Sequence, residues 1–201
     1  MTLIQAIEEL LSCKSVSGNT ASDAILKESD ALAILQKLTL TDLKAGMLVL
    51  HIDEGRKVFP EKAAGDKPVA VCMSPLFNTA GIHDYNRGCD AVLVKVSREN
   101  DREVCKLLYI ELKSHKPAGF AGQFRSTRCF FRYVKALIEE FWELEMNITS
   151  ERFVVFHTDA SGNRTRGKQP TRFSSNNANS PEEPQRYVVR NNDIVRCTEL
   201  F

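Results

Sequence analysis

A glutamate and a lysine lie two positions apart within an apolar stretch of the chain, as Glu111 and Lys113 in residues 108–113. If this stretch is a β-strand, its side chains alternate between two faces, because a strand repeats every two residues. Glu111 and Lys113 are then neighbours on one face, opposite three apolar side chains. Carboxylate oxygens bind hard divalent cations such as Mg²⁺, and a nearby ammonium orients water and stabilises developing negative charge. The pair therefore predicts a metal site suited to hydrolysing a phosphodiester.

A second carboxylate for this site comes from Asp90, which precedes the apolar run at residues 91–96. That run and residues 106–114 are both typical of strands, and the segment between them, residues 97–103, is charged and polar like a hairpin loop. In an antiparallel hairpin the start of the first strand lies beside the end of the second. The sequence therefore predicts that Asp90 lies close to Glu111 and Lys113.

A simpler interpretation of the same residues is a salt bridge on a solvated strand. Strands commonly expose Glu and Lys on their solvent face, and so short a motif often occurs by chance. The domain would then be a module that binds nucleic acid or a partner protein without cleaving anything. The placement of Asp90 and the order of the following elements favour the metal site.

The motif and its surroundings resemble the PD-(D/E)xK nuclease superfamily, over about residues 88–158. The resemblance rests on an aspartate before one strand, a Glu-x-Lys on the next and a long helix after it. In this chain the matching residues are Gly88-Cys89-Asp90 and Ile110-Glu111-Leu112-Lys113. The family usually has a proline before the aspartate, where this chain has a cysteine.

The resemblance implies a function and a set of ligands. In such a nuclease, Asp90, Glu111 and the main-chain carbonyl of Leu112 bind Mg²⁺ or Mn²⁺, and Lys113 positions the attacking water. Some members add a glutamine at the start of the following helix, where this chain has Gln123. Others add a glutamate from an N-terminal helix, for which Glu8 or Glu9 is available. The family includes restriction endonucleases and defence nucleases, so an endonuclease acting on DNA rather than RNA, in defence against foreign DNA, is the expected activity.

Basic residues near the motif predict contacts with a phosphate backbone. Those of the long helix lie in its first half, and acidic residues lie in its last turns. This order opposes the helix dipole, which favours the reverse by about 0.3–1 kcal/mol per exposed charge. The candidate contacts are Lys116 before the helix, Arg125, Arg128 and Arg132 on it, and Arg164, Arg166 and Lys168 in the loop after it. The alternative for the helix is a solvated face whose basic residues pair with Glu139 and Glu140. The alternative for the loop is a plain linker or a segment that docks a partner protein.

The hydrophobic pattern predicts a single α/β domain over residues 1–201, with a restriction-endonuclease-like core in which helices flank a central mixed β-sheet. Residues 1–46 form a helical N-terminal segment, residues 69–158 the core and residues 160–185 a flexible basic loop. Helices are expected at residues 2–11, 21–38 and 120–146, with a short helix or a turn at residues 39–46. Strands are expected at residues 47–52, 69–72, 91–96, 106–114, 153–157, 187–190 and 194–197.

Composition excludes several other classes of protein. The formal net charge of +1 requires any basic surface to be local. The six cysteines are scattered, with no zinc-finger spacing, and are expected to be free thiols in the cytoplasm. No signal peptide or membrane span is expected, and neither a phosphate-binding P-loop, a dinucleotide motif nor a serine-hydrolase elbow is present. Because a duplex has two strands, a homodimer or a larger complex is expected.

Overall fold

Strands dominate the computed structural model of the chain, and helices separate some of them. The structure describes residues 1–28, 33–55, 57–58, 70–71, 84–114, 118–158, 171–172 and 179–201. Within these residues the α-helices are α1 (Leu3–Leu10), α2 (Ile52–Gly55) and α3 (Phe120–Phe141). The strands are β1 (Ser15–Ser17), β2 (Ala24–Lys27), β3 (Lys37–Thr41), β4 (Met47–His51), β5 (Lys57–Val58), β6 (Ala70–Val71), β7 (Ala91–Glu99), β8 (Arg102–Lys113), β9 (Ile148–His157), β10 (Thr171–Arg172), β11 (Gln185–Val188) and β12 (Asp193–Arg196). Asp84–Asn86 and Cys197–Glu199 are short 3₁₀ turns.

A seven-stranded mixed sheet forms the centre, in the order β1-β4-β7-β8-β9-β11-β10. Within this sheet β1, β4, β7 and β8 pair antiparallel, β9 pairs parallel to both β8 and β11, and β10 pairs antiparallel to β11. The parallel step from β8 to β9 requires a crossover, which α3 provides. The expected α/β class with a mixed central sheet is therefore confirmed.

Both faces of this sheet are buried, which explains why β7 and β8 are nearly continuous apolar runs. One face packs against α1 and α3, with Val92, Tyr109 and Phe153 in that core. The other face packs against a three-stranded sheet in the order β12-β3-β2, with Leu93, Leu108 and Val154 in that core. The expectation that helices flank the sheet is met on one face, and on the other face the layer is a sheet.

The N-terminal segment departs from the helical prediction after its first element. α1 is present, with a capping box between Thr2 and Gln5. The helix expected over residues 21–38 is wrong, because β2 and the start of β3 lie there. The spacing of Ile25, Leu32 and Leu35 resembled a helical stripe. In β2, however, Ile25 is 43 % exposed, and the residues on either side of it are buried, as strand alternation requires. A short helix or a turn was expected at residues 39–46, but the first of these residues form the end of β3.

The long helix is shorter than predicted. Its apolar stripe packs on the sheet, but the helix ends at Phe141, which is 72 % exposed. Glu143 has a φ of 55°, in the left-handed region, so the helix cannot continue to Met146. Glu143 and Glu145 therefore lie outside the helix, and Lys135 forms an ion pair with Glu139 one turn along.

Two further expectations concern cysteines and membranes. The described cysteines are free thiols: Cys13, Cys89, Cys105, Cys129 and Cys197. In the described part of the chain, no helix is both long and apolar enough to cross a bilayer.

Candidate metal centre

The hairpin of β7 and β8 carries the candidate residues to one end of the central sheet. Ala91 faces Ile110 across the hairpin, so Asp90, one position earlier, falls beside Glu111. The main-chain N–H of Leu112 donates a hydrogen bond to Asp90 Oδ2 over 2.5 Å. Because the N–H and C=O of one residue point to the same side of a strand, the Leu112 carbonyl also faces the β7 side. The three ligands that the resemblance implies are therefore close in space.

Glu111 lies on the face of β8 that α3 covers, two positions beyond Tyr109 of that core. Only 1 % of its surface is exposed. Lys113 Nζ approaches Glu111 Oε1 at 2.5 Å. Glu111 Oε2 is buried and has no hydrogen-bond partner among the described residues. Glu111 is thus buried and Lys113 half-buried, unlike the solvated surface pair of the simpler interpretation.

Gln123, in the second turn of α3, links the two halves of the site. Lys113 Nζ donates to Gln123 Oε1 at 3.3 Å, and Gln123 Nε2 donates to the carbonyl of Gly88 at 3.3 Å. The side-chain amide therefore joins the lysine of β8 to the segment that leads into Asp90.

Further contacts from α3 hold that segment in place. The Thr127 hydroxyl accepts from the N–H of Cys89 at 3.0 Å, and the Ser126 hydroxyl donates to the carbonyl of Tyr85 at 2.5 Å. Gly122 lies so close to Asp84 that a Cβ there would be 2.6 Å from Asp84 Cγ. The first turns of α3 therefore determine where Asp90 sits.

Acidic residues that the sequence did not indicate also surround Asp90. An open pocket of about 240 Å³ is lined by Glu28, Asp53 and Asp90, together with His51. Asp53 follows β4, whose last residue, His51, pairs with Ala91 at the start of β7. The sequence signal that could have indicated Asp53 is a pair of carboxylates directly after a buried strand, in His51-Ile52-Asp53-Glu54.

Burial changes the proton affinities of the central groups. Burial, followed by the negative charges of Glu111 and Glu28, raises the pKa of Asp90 well above its usual range. Burial raises the pKa of Glu111 to about 7, although Lys113 and Gln123 act in the opposite direction. Burial lowers the pKa of Lys113, but the Glu111 carboxylate outweighs it, so the net shift is upward. Two adjacent carboxylates that resist ionisation are an environment that a cation stabilises.

The donor set fits a hard divalent cation. Two carboxylates and a main-chain carbonyl offer oxygen ligands, and the buried Oε2 of Glu111 has no other partner in the described part of the chain. Mg²⁺ in proteins commonly uses one or two carboxylates and keeps several waters. Within the described ranges, no three His, Cys, Asp or Glu side chains converge as a ready metal cluster. The residues that could hold such an ion are therefore Asp90, Glu111 and the carbonyl of Leu112.

The helix arginines lie on a different flank of α3 from Gln123, as their spacing on a helix with 3.6 residues per turn requires. Arg125 approaches Glu182 at 3.5 Å. The Arg128 guanidinium lies 6.0 Å from the ring centre of Phe153, and its Nε is buried. Arg132 is exposed. Their contact with a phosphate backbone stays a prediction, and it requires a substrate that reaches both flanks.

The remaining predicted residues divide into two groups. Glu8 and Glu9 of α1 are exposed, and the carboxylates that act electrostatically on Asp90 are Glu111, Glu28 and Asp53 instead. The other predicted phosphate contacts, Lys116, Arg164, Arg166 and Lys168, lie outside the described residues.

No protein-family model, no curated protein and no solved structure matches this chain. The fold itself defines an α/β protein with a mixed central sheet, and the site defines a buried carboxylate–lysine cluster at one end of that sheet.

Proposed function

We propose that this chain is a metal-dependent nuclease that hydrolyses phosphodiester bonds at Asp90, Glu111 and Lys113. The observation that carries the proposal is the buried carboxylate of Glu111, with one oxygen unpartnered among the described residues, beside the partly buried carboxylate of Asp90 and an ammonium group. A protein gains no stability from such an arrangement, because burying charge is costly unless each charge is fully paired. A metal-dependent centre for phosphate chemistry uses such carboxylates as ligands of the cation.

The residues that would hold the cation are Asp90, Glu111 and the carbonyl of Leu112. The chemistry that Mg²⁺ or Mn²⁺ supplies there is Lewis-acid polarisation of the phosphate and activation of water. The Asp90 carboxylate is oriented by the N–H of Leu112, so its position is fixed by the main chain of β8. Rigid placement of this kind reduces the reorganisation that a reaction requires.

Lys113 acts beside these carboxylates. An ammonium has three donors, and contacts with Glu111 and Gln123 fix its head group at the site. From there it donates to the attacking water or to the negative charge that develops on the phosphate. Gln123 is a positioning residue, since its side-chain amide connects Lys113 to the carbonyl of Gly88.

The order of elements also supports a restriction-endonuclease-like core. A helix, three antiparallel strands β4, β7 and β8, a crossover helix and a parallel strand β9 surround the site. By resemblance, the substrate is DNA rather than RNA, the cut is internal and the role is defence against foreign DNA. A homodimer or a larger complex in the cytoplasm, which cuts both strands, belongs to the same proposal.

A cleavage assay tests the site. Plasmid DNA, single-stranded DNA and RNA are incubated with Mg²⁺, Mn²⁺ or a chelator. We expect metal-dependent cleavage that falls by at least about 100-fold in Glu111→Ala and in Lys113→Ala, the loss typical of removing one stabilising group. Glu103→Ala, an exposed position on the same strand, is the matched control and retains wild-type activity. Undiminished cleavage in both site variants would refute the assignment.

The second candidate is a non-catalytic module that binds nucleic acid or a partner protein. The direct Glu111–Lys113 ion pair favours it, because a structural salt bridge has this geometry. The deep burial of Glu111 argues against a non-catalytic module, because a salt bridge on a solvated strand would be exposed. Tight binding without metal, with no cleavage of any substrate, is the result that would select the module.

A further inference from the structure

A second pocket lies on the opposite face of the central sheet from Glu111. It has a volume of about 430 Å³ and is lined by residues of β7, β8 and β9 and by Phe201. Lys95, Lys106 and Arg152 each lie two positions from a residue of the core beneath the three-stranded sheet, so they share that face. The pocket is therefore separate from the candidate metal centre, which α3 covers.

The basic side chains that line this pocket outnumber the acidic ones, so ion pairs within the lining do not account for all of them. Lys95 and Lys106 stand directly opposite each other across the hairpin, and Arg152 lies on the next strand. Like charges in opposite positions destabilise a sheet, by up to about 1 kcal/mol. Glu99 is the single acidic residue of the lining, and it contacts Lys106 at 2.9 Å. The lining thus carries an excess of positive charge.

Contacts with the last residues of the chain hold these cations in place. Lys95 Nζ lies 5.1 Å from the ring centre of Phe201, and Arg152 Nη1 donates to the carbonyl of Leu200 at 3.2 Å. All three cations are partly buried, which strengthens their attraction for an anion relative to groups in bulk water. The hydroxyl of Ser150, in register with Lys106, adds a neutral donor.

We propose that this pocket binds a small phosphorylated molecule of nucleotide size. Lysine, arginine and hydroxyl donors are the groups that hold phosphate. Pockets for small ligands typically have volumes of about 300–1,000 Å³ and bury most of the ligand, so this one accommodates more than inorganic phosphate. The pocket shares no residue with the candidate metal centre, so each of the two proposals can be tested independently of the other.

Calorimetric titration of the whole chain tests the proposal with four probes: AMP, ATP, inorganic phosphate and a short DNA duplex. We expect saturable binding of AMP or ATP, weakened about tenfold or more in Lys95→Gln/Lys106→Gln, which corresponds to about 1.4 kcal/mol or more. Arg98→Gln is the matched control, because Arg98 is on the same strand but on the other face and is exposed. That variant binds as the wild type does.

The proposal would be overturned if neither nucleotide bound saturably at concentrations up to about 5 mM, which corresponds to a binding free energy of about 3 kcal/mol. It would also be overturned if the double variant bound the nucleotides as tightly as the wild type does. Binding of inorganic phosphate as tightly as AMP would likewise contradict it. Binding of the duplex alone, with loss in the double variant, would replace the small ligand with nucleic acid. Amide chemical shifts of the wild-type protein give a measurement that depends on no variant. Nucleotide-induced shifts at Lys106 and Ser150 support the pocket, and their absence contradicts it.

Discussion

Glu111 is the residue at which stability and the proposed chemistry oppose each other. Its carboxylate is almost fully buried, one oxygen contacts Lys113, and the other has no partner in the described part of the protein. Its neighbour Asp90 is also a carboxylate with a raised pKa. Without a cation, ionisation of Glu111 should therefore destabilise the fold.

The first prediction concerns Glu111→Gln. The folded-state pKa of Glu111 is about 7, above the unfolded value of about 4.3. For a raised pKa, stability is greatest below the unfolded value and is lost as pH rises through the folded value. The glutamine variant, which never ionises, should be more stable than the wild type by about 1–3 kcal/mol at pH 8 and similar to it near pH 4. Denaturant unfolding in chelator measures both.

Glu103→Gln provides the matched comparison, because Glu103 is exposed on the same strand. If Glu111→Gln is less stable than the wild type at pH 8, the ion pair with Lys113 outweighs the cost of burial. Glu111 would then be a structural residue.

At this scale, the sequence predicts what lies within one hairpin and misses what the sheet order assembles. Glu111 and Lys113 follow from strand periodicity, and Asp90 follows from antiparallel pairing, which β7 and β8 confirm. Glu28 and Asp53 approach Asp90 because β2 lies in the second sheet and β4 pairs with β7. No local pattern specifies Glu28, whereas Asp53 had one local signal, the pair of carboxylates directly after β4.

Helix α3 acts as the element that fixes the approach to Asp90. Gln123, Ser126 and Thr127 all bond main-chain groups between Tyr85 and Cys89. Gly122 belongs to the same contact, because there is no space for a side chain against Asp84. The helix thereby couples the position of one carboxylate to the strand that bears the other.

The second prediction is that Gly122→Ala destabilises the protein. In an open helix this change stabilises by about 1 kcal/mol, because glycine is a poor helix former. Here the new methyl group collides with Asp84, and overpacking typically costs about 1–3 kcal/mol. Thermal or denaturant unfolding measures the change. Gly122→Ala/Asp84→Gly, which removes the obstructing side chain, should recover most of the loss, and a stabilised single variant would show that residues 84–86 do not pack tightly on α3.

At the level of elements, local signals located β4, the apolar parts of β7, β8 and β9, and most of α3. The predicted loop at residues 97–103 is wrong for residues 97–99 and 102–103, which are polar but extend β7 and β8, and the polar first half of β9 was also missed. Local signals failed for the short strands β2 and β3, because β2 pairs with β3 and β3 pairs with β12 at the far end of the chain. Leu38 and Leu40 do alternate with polar residues in β3. The helical spacing of Ile25, Leu32 and Leu35 competed with that alternation, and only the long-range pairing decides between them.

The part of the molecule that the structure describes is built as three layers, with helices α1 and α3, the central sheet and the three-stranded sheet in succession. The candidate metal centre lies at one end of the central sheet on its helix side, and it draws residues from β7, β8 and α3. A ligand that binds such a site only in the folded state stabilises the entire fold, by an amount set by its concentration relative to its dissociation constant. Metal binding can therefore be measured without any substrate.

The third prediction is that Mg²⁺ or Mn²⁺ raises the Tm of the wild type. At ten times the dissociation constant the gain is about 1.4 kcal/mol, and for a chain of this length each kcal/mol corresponds to about 2–4 °C. The increase should be larger at pH 8 than at pH 6, because protons compete for Glu111 and Asp90 at lower pH. Asp90→Asn/Glu111→Gln should lose it, whereas Lys113→Ala should keep it and lose only cleavage, since the lysine is not a ligand. An equal rise in Tm in the carboxamide double variant would mean that the cation binds elsewhere, and the buried carboxylates would then need another explanation.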